Sequence, residues 1–266
     1  MPAITDSEFG RFQRFIYDAA GISLPDSKKA LVSGRLAKRL AACHVATYAE
    51  YFRLLTNGDA PLEVQMAVDL LTTNETYFFR EPKHFEFLKQ RASAARRPTG
   101  AFRVWSAAAA TGEEAYSIAM VLEDCMPGRW EVVGSDISAR VLEKARRGHY
   151  GMERISHLPA GYLRRFCLKG IGSVGGTLLI EPELRSKVAF QQINLNKALP
   201  QLGSFDFVFL RNVMIYFDAA TKRRVVERVL SVLKPEGYLL VGHSETLVSI
   251  SSAVEPVAPA TYRKLG

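Results

Sequence analysis

The 266-residue sequence has few cysteines, and their spacing argues against a disulfide framework or a zinc site. Cys43, Cys125 and Cys167 lie far apart and form no CxxC pair, so reduced thiols are predicted. The five histidines are equally scattered and show no metal-ligand spacing, so no bound metal is expected.

Long apolar runs are also absent. No segment approaches the roughly 18 apolar residues that a membrane-spanning helix needs. The N-terminal residues MPAITDSEFGRF lack the basic and then apolar regions of a secretory signal. We therefore expect a cytoplasmic protein with no direct membrane insertion.

The charge is unbalanced, with a formal net charge of +8 at pH 7. Such an excess suggests an acidic partner, which can be a nucleic acid, a membrane face or an acidic protein. A hydrophobic fraction of 48% argues against wholesale disorder.

The N-terminal third has helix signals and no strand signal. These signals are the capping boxes Thr5–Glu8 and Thr47–Glu50, the segment 28–42, and Pro61 at a helix start. They predict a small all-helical N-terminal domain over residues 1–91. The segment ASAARRPTGA, residues 92–101, is typical of a linker.

Beyond the linker, apolar strand patterns alternate with helical patterns over residues 102–266. Alternation of this kind predicts an α/β fold with a doubly wound parallel sheet. The glycine-rich segment 161–190 interrupts the rhythm and is interpreted as a small antiparallel β-subdomain insertion.

The second helical segment has an unusual surface. Residues 27–49 contain five basic side chains and no acidic one. At about 100° per residue, Lys28, Arg35 and Arg39 share one stripe, with Lys38 to its side. The stripe is either an ordinary solvated face or a binding surface, although a solvated face usually mixes charge signs.

The first predicted strand leads into SAAAATG and then a helix that opens with Glu113 and Glu114. This is neither GxGxxG nor GxxxxGK, so dehydrogenase chemistry is not supported. Acids at a helix start either complement the helix dipole or favour a cationic or hydroxyl-rich ligand over a phosphate. Asp136 ends the second strand, where a ribose diol is usually held. Together these features suggest S-adenosylmethionine as the ligand.

Several long segments now make the sequence recognisable. They are TTNETYFFRE, RVWSAAAATGEEAYSIAM, GSDISARVLEKARRGHY, INLN, FVFLRNVMIYFD and GYLLVGHSETL. In this order they resemble the chemotaxis receptor glutamate O-methyltransferases, the CheR family, over nearly the whole chain. The resemblance implies a doubly wound class I S-adenosylmethionine-dependent methyltransferase domain with a small β-subdomain, preceded by a helical domain. It also implies that chemoreceptor glutamates become methyl esters and that S-adenosylhomocysteine is the product.

The resemblance also assigns the site residues. Those implied in cofactor binding are Asn74, Thr76, Arg80, Glu113, Asp136, Asn194, Leu195, Arg211 and Asn212. Arg80 suits a carboxylate, either that of the cofactor or that of the incoming glutamate, and Tyr216 is expected to orient the substrate. No general base is expected, because a glutamate with a pKa of about 4.3 is already ionised at neutral pH.

The family partner is the cytoplasmic helical bundle of methyl-accepting chemoreceptors. Lys28, Arg35 and Arg39 then become a candidate receptor-docking face. In some family members the β-subdomain also holds a peptide from the receptor C-terminus by strand addition, and the 170–176 turn is compatible with that. A monomer is expected.

Two other functional classes stay open at this stage. A non-catalytic module that senses S-adenosylmethionine is compatible with Ala110 and Ala115, where the family commonly has serine and proline. A nucleic-acid methyltransferase is prompted by the basic charge. Against it, NVMI stands where amino-group methyltransferases have a Pro-Pro-aromatic pattern, and there is no RNA-binding aromatic platform.

Overall fold

The computed structural model describes residues 3–95 and 100–266. Its first part consists of helices α1 (Asp6–Ala20), α2 (Lys29–Ala42), α3 (Tyr48–Thr56), α4 (Pro61–Leu71) and α5 (Lys83–Ala94). The prediction of an all-helical N-terminal part is confirmed.

The ends of the first helices follow from local sequence. Thr5 and Glu8 form a reciprocal capping box at the start of α1, and Thr47 and Glu50 do the same for α3. Gly21 ends α1 in the left-handed conformation with φ of 75°, which glycine adopts without a steric penalty.

Helix α5 belongs to a different apolar cluster from α1–α4. Its buried residues Phe85 and Leu88 pack in the cluster that contains the helix after the first strand, whereas Phe12 of α1 packs in the other cluster. The predicted linker 92–101 begins inside α5, and its residues 96–99 lie outside the described part of the chain.

The main sheet has seven strands in the order β6-β2-β1-β7-β8-β10-β9. They are β1 (Phe102–Ser106), β2 (Trp130–Asp136), β6 (Val188–Gln192), β7 (Phe205–Leu210), β8 (Leu233–Val241), β9 (Val254–Ala258) and β10 (Thr261–Lys264). The first five strands of this order are parallel, and β10 and β9 add an antiparallel edge. The predicted doubly wound sheet is confirmed.

Helices cover both faces of this sheet. They are α6 (Glu113–Cys125), α7 (Ala139–Arg147) and α10 (Ala219–Ser231). Because strand side chains alternate, Trp105 packs in the cluster that includes α10 and α1–α4, while Val104 packs in the cluster of α5 and α6. One sheet face therefore shares its core with the N-terminal helices, which brings them next to the strand ends.

The insertion is a three-stranded antiparallel sheet in the order β3-β5-β4. Its strands are β3 (His149–Gly151), β4 (Cys167–Lys169) and β5 (Thr177–Ile180), and the helices α8 (Ala160–Phe166) and α9 (Pro182–Ser186) flank it. The predicted segment 161–190 contains β4 and β5, and the structure adds β3 from before it. No helix of the described residues is both long and apolar enough to cross a bilayer.

Candidate functional site

A cavity opens at the carboxyl ends of the central strands, where ligands bind in open α/β sheets. Its walls come from the segment after α4, the end of α1 and the loops after β1, β2, β6 and β7. The sequence-predicted residues that line it are Asn74, Thr76, Arg80, Asp136, Asn194, Leu195, Arg211, Asn212 and Tyr216. These nine predicted residues come from four separate segments of the chain, and the fold brings them together in one cavity.

Asp136 is held rigidly at the end of β2. Its Oδ2 accepts a hydrogen bond from the Ala110 amide at 3.0 Å, and its Oδ1 accepts one from the Ser138 amide at 2.9 Å. Burial raises the pKa of Asp136 to about 6, against the effect of these hydrogen bonds. The carboxylate is therefore oriented by the loops on either side of it and suited to accept bonds from a diol.

The two glutamates that open α6 have different roles. Glu113 is fully buried outside the cavity lining, where its carboxylate accepts a bond from Thr111 and pairs with Arg154. Glu114 lines the cavity, and it accepts bonds from Ser106 Oγ at 2.7 Å and Arg211 Nη1 at 2.9 Å. The structure therefore places Glu114 where the sequence predicted Glu113.

The Glu114 carboxylate is sensitive to its surroundings. Burial raises its pKa, and the guanidinium of Arg211 opposes that rise. A cationic ligand group in the cavity would act in the same direction as Arg211 and favour the ionised carboxylate.

Arg211, with 1% of its side chain exposed, connects two carboxylates. Besides Glu114 it binds Oε2 of Glu81 at 2.9 Å and the carbonyl oxygen of Arg80. Burial works against ionisation of Glu81, but Arg211 and further hydrogen bonds hold the Glu81 pKa below its usual value. Glu81 was not predicted as a site residue, because no periodic pattern marks it.

The segment TTNETYFFRE joins the helical part to this cavity. Phe78 and Phe79 are buried, and the Phe79 amide donates to Ser117 Oγ of α6 at 3.0 Å. Phe79 and Glu81 have left-handed backbones with φ of 53° and 58°, which is uncommon for such residues. The aromatic pair anchors the segment, and Asn74, Thr76 and Arg80 face the cavity.

The remaining predicted cavity residues lie on the opposite wall. Asn194 donates from Nδ2 to the Ala19 carbonyl at 2.6 Å, which ties the loop after β6 to the end of α1. Leu195, next to it, is 7% exposed and offers an apolar surface. Tyr216 lines the cavity in the turn after β7, where its carbonyl accepts a bond from the Ser23 amide.

The basic stripe on α2 is not a uniform surface of free charges. Lys28 is exposed. Arg39 forms two hydrogen bonds with Glu63 of α4, at 2.9 and 2.6 Å. Arg35 donates to the carbonyls of Leu71 and Thr72 at 3.2 and 3.0 Å. Arg35 and Arg39 thus contact other parts of the helical domain, and the docking role predicted for Lys28, Arg35 and Arg39 stays a prediction.

Within the described residues, one group of potential metal ligands comes together, formed by Glu81, His84 and His243. Its carboxylate is already paired with Arg211, and the same guanidinium adds to burial in lowering the His84 pKa to about 4. A second cation at this point would face the charge of Arg211, so we assign no metal to the group.

Comparisons with known proteins agree with this architecture. The model of the CheR methyltransferase SAM-binding domain matches residues 74–262, and the model of the CheR all-alpha domain matches residues 7–72. A chemotaxis protein methyltransferase of Escherichia coli is 44% identical over 91% of this chain and 85% of its own length. Chemotaxis protein methyltransferase 2 of Pseudomonas aeruginosa is 42% identical over 97% of this chain and 93% of its own length.

Among solved structures, the glycopeptide N-methyltransferase MtfA complexed with S-adenosylmethionine is similar over 68% of this chain and 58% of its own. At 19% identity and a TM-score of 0.37, this likeness supports no further argument. The family models and the two relatives are sufficient: the chain belongs to the CheR methyltransferase family and is an S-adenosylmethionine-dependent methyltransferase.

Proposed function

We propose that the protein methylates glutamate side chains of chemoreceptors, forming methyl esters and S-adenosylhomocysteine, and so serves adaptation in chemotaxis-type signalling. The observation that carries the proposal is the lining of the cavity. The charged residues that line the site include Glu114, Asp136, Arg80 and Arg211, and the site has no glycine-rich phosphate loop. The names of the relatives, all chemotaxis protein methyltransferases, supply the pathway.

The donor set fits S-adenosylmethionine, which carries a ribose diol, an ammonium, a carboxylate and a sulfonium but no phosphate. Asp136 would accept hydrogen bonds from the ribose hydroxyls. Asn194 and Leu195 would hold the adenine, Glu114 would complement the positive charge, and Arg80 would bind a carboxylate. When bound, the cofactor supplies a methyl group on a positively charged sulfur.

The protein itself needs to place the acceptor rather than activate it. A glutamate with a reference pKa of about 4.3 is an anion at neutral pH, so no residue has to remove a proton. We infer that Arg80 and Tyr216 orient the acceptor carboxylate, and that the surrounding walls exclude water. Asn74, Thr76, Arg211 and Asn212 complete the proposed binding site.

Receptor docking is proposed to begin on two exposed lysines, one just before α2 and one within it. Lys28 and Lys38 are exposed and have no acidic partner among the described hydrogen bonds and ion pairs, so they can meet the acidic methylation helices of a receptor. Arg35 lies between this face and the cavity, because its carbonyl partner Thr72 is a cavity residue. We therefore assign Arg35 a supporting role at this surface and Arg39 a structural one.

The β-subdomain is a proposed second contact. β4 is an edge strand of the small sheet, and the turn after it carries Ile171 with 80% of its surface exposed. An edge strand with an apolar neighbour can accept a receptor C-terminal peptide as an additional strand. We further propose that the protein acts as a monomer in the cytoplasm.

The test uses methyl-labelled S-adenosylmethionine with membranes rich in chemoreceptors, followed by mild alkali. Volatile labelled methanol from the receptor band is the expected result, because carboxyl methyl esters hydrolyse under these conditions. Label that survives alkali would indicate N-methylation and contradict the glutamate assignment. Cofactor binding without transfer to any receptor would instead favour a sensor module.

A further inference from the structure

Glu245 does not line the cavity, but its carboxylate binds the backbone amide of the cavity residue Asn212 and that of Ile215, the neighbour of the cavity residue Tyr216. It is 9% exposed and sits in the loop after β8. Its Oε2 accepts hydrogen bonds from the Gly242 amide at 2.6 Å and the Asn212 amide at 2.8 Å. Its Oε1 accepts one from the Ile215 amide at 3.2 Å. The carboxylate thus joins the loop after β8 to the loop after β7.

The far end of the loop after β7 is held by the Tyr216 carbonyl, which accepts a hydrogen bond from the Ser23 amide, and Glu245 holds its first part. Asn212 has a left-handed backbone with φ of 57°, a conformation that asparagine adopts more readily than most other residues with a side chain. Val213, which precedes the 3-10 turn Met214–Tyr216, provides no side-chain cap for this turn. Glu245 instead accepts hydrogen bonds from the amides of Asn212 and Ile215, in the way that a carboxylate caps the start of a helix.

Close packing reinforces the same contact. A Cβ atom added at Gly242 would overlap Nδ2 of Asn212 and would lie 2.9 Å from Oε2 of Glu245. Only a residue without a side chain therefore lets the loop after β8 approach Asn212 this closely. The backbone of Asn212 is held by Glu245, while its Nδ2 lies 3.4 Å from Oε1 of Glu81.

We propose that Glu245 is a positioning residue for methyl transfer. By binding the amides of Asn212 and Ile215 it sets the places of Asn212 and Tyr216, which line the cavity at the proposed reacting end. Glu245 itself does not line the cavity, so in this assignment it contacts neither the cofactor nor the acceptor glutamate. The inference rests on the proposed function, since it assigns Tyr216 to the acceptor.

The first test is Glu245→Gln, which keeps the size of the side chain but turns an NH₂ group toward one of the backbone amides. We expect kcat to fall by roughly 10- to 100-fold, because alignment of the acceptor contributes to the rate of transfer. The dissociation constant for S-adenosylhomocysteine should change much less than kcat, because Asp136 and Asn194 lie on other loops and Asn212 is the one proposed cofactor residue whose amide Glu245 binds. Glu227→Gln, an exposed residue of α10, is the matched control and should change neither value.

A second measurement separates positioning from general stability. If Glu245 acts through the turn that carries Tyr216, then Glu245→Gln in a Tyr216→Phe background should lower kcat by no more than about twofold beyond the more damaging single variant. Independent losses that multiply, and that follow the fall in melting temperature, would overturn the proposal. So would a wild-type kcat in Glu245→Gln.

If Glu245→Gln does not fold, Gly242→Ala displaces the same loop from outside the cavity. It should again lower kcat by a larger factor than the affinity for S-adenosylhomocysteine, and an unchanged kcat would count against the proposal. The assays also keep two failures apart. If the wild-type protein transfers no methyl group to receptors, the proposed function has failed. If the wild-type protein does transfer it and the variants have the same kcat, the role of Glu245 has failed.

Discussion

Arg211 and Glu114 form a buried ion pair at the edge of the cavity, with Nη1 and Oε2 2.9 Å apart. The other arm of the same guanidinium binds Glu81, which belongs to the segment between α4 and α5. One cation therefore joins the start of α6 to the segment that supplies Asn74, Thr76 and Arg80. The cavity depends on Arg211 because, without it, the carboxylates of Glu81 and Glu114 would have no positive charge between them.

Replacement of Arg211 by glutamine should accordingly be severe. Removal of one partner from a buried ion pair typically costs about 3–5 kcal/mol, because the remaining charge is left unpaired. We expect a loss of stability of this size in urea unfolding, together with weaker binding of S-adenosylhomocysteine. Arg263→Gln is the control, since Arg263 is 40% exposed and pairs at the surface, where solvent screens ion pairs and leaves them a small contribution to stability. Equal losses in the two variants would contradict this account.

The adjacent glutamates of α6 give a matched pair of variants. Glu114→Gln removes a charge that lines the cavity, so we expect at least roughly tenfold weaker binding of S-adenosylmethionine, which corresponds to about 1.4 kcal/mol. Glu113→Gln alters a contact with Arg154 outside the cavity lining and should leave this affinity within about twofold. Isothermal titration of both variants checks the assignment. The reverse order of effects would return the role to Glu113.

This pair also shows what the sequence could and could not predict. A carboxylate at the end of the second strand is a positional signal, and Asp136 indeed lies in the cavity. Neighbouring helical residues, however, point about 100° apart, and the sequence does not state which of two glutamates faces the strand ends. The packing of α6 on the sheet decides which of Glu113 and Glu114 faces the cavity, and this packing is a tertiary property.

The same limit applies to longer-range contacts. Arg35 and Arg39 lie on α2 as the spacing predicted, whereas Lys28 ends a 3-10 turn before this helix, and the partner of Arg39 is 24 residues away, in α4. The order of strands and helices could be read from alternating patterns, whereas β3 has only three residues and gives no such pattern. Glu81 and Glu245 act through loops, where no periodicity identifies them.

The contacts of Arg35 lead to a prediction that distinguishes receptor docking from structural support of the cavity. Arg35→Ala removes bonds to the carbonyls of Leu71 and Thr72, next to the cavity. We expect it to weaken binding of S-adenosylhomocysteine several-fold. Lys28→Glu should leave that affinity unchanged and raise the KM for receptor, most strongly at low salt, because exposed charges interact through a screened field. An unchanged receptor KM at low salt would exclude Lys28 from docking.

The final prediction concerns pH and follows from Asp136. Its pKa rises from 3.8 to about 6 in the folded protein without ligand, because burial disfavours the charged form. The folded state therefore holds a proton that the unfolded state has lost between these values. The stability that this group contributes is present below pH 3.8 and is lost as the pH rises through 6. The full difference corresponds to roughly 3 kcal/mol, at about 1.36 kcal/mol per unit.

Ligand binding should have the opposite pH dependence, because the ionised carboxylate is the better acceptor for a ribose diol. We expect the affinity for S-adenosylhomocysteine to decline as the pH falls below about 6, where Asp136 takes up its proton. Asp136→Asn should bind S-adenosylhomocysteine weakly at every pH. Its stability should also not show the decrease between pH 4 and 7 that the Asp136 carboxyl causes in the wild-type protein. Titrations and thermal unfolding of both proteins from pH 4 to 7 measure the two slopes. Parallel stability curves for wild type and Asp136→Asn would show that Asp136 titrates normally and would remove the basis for both effects.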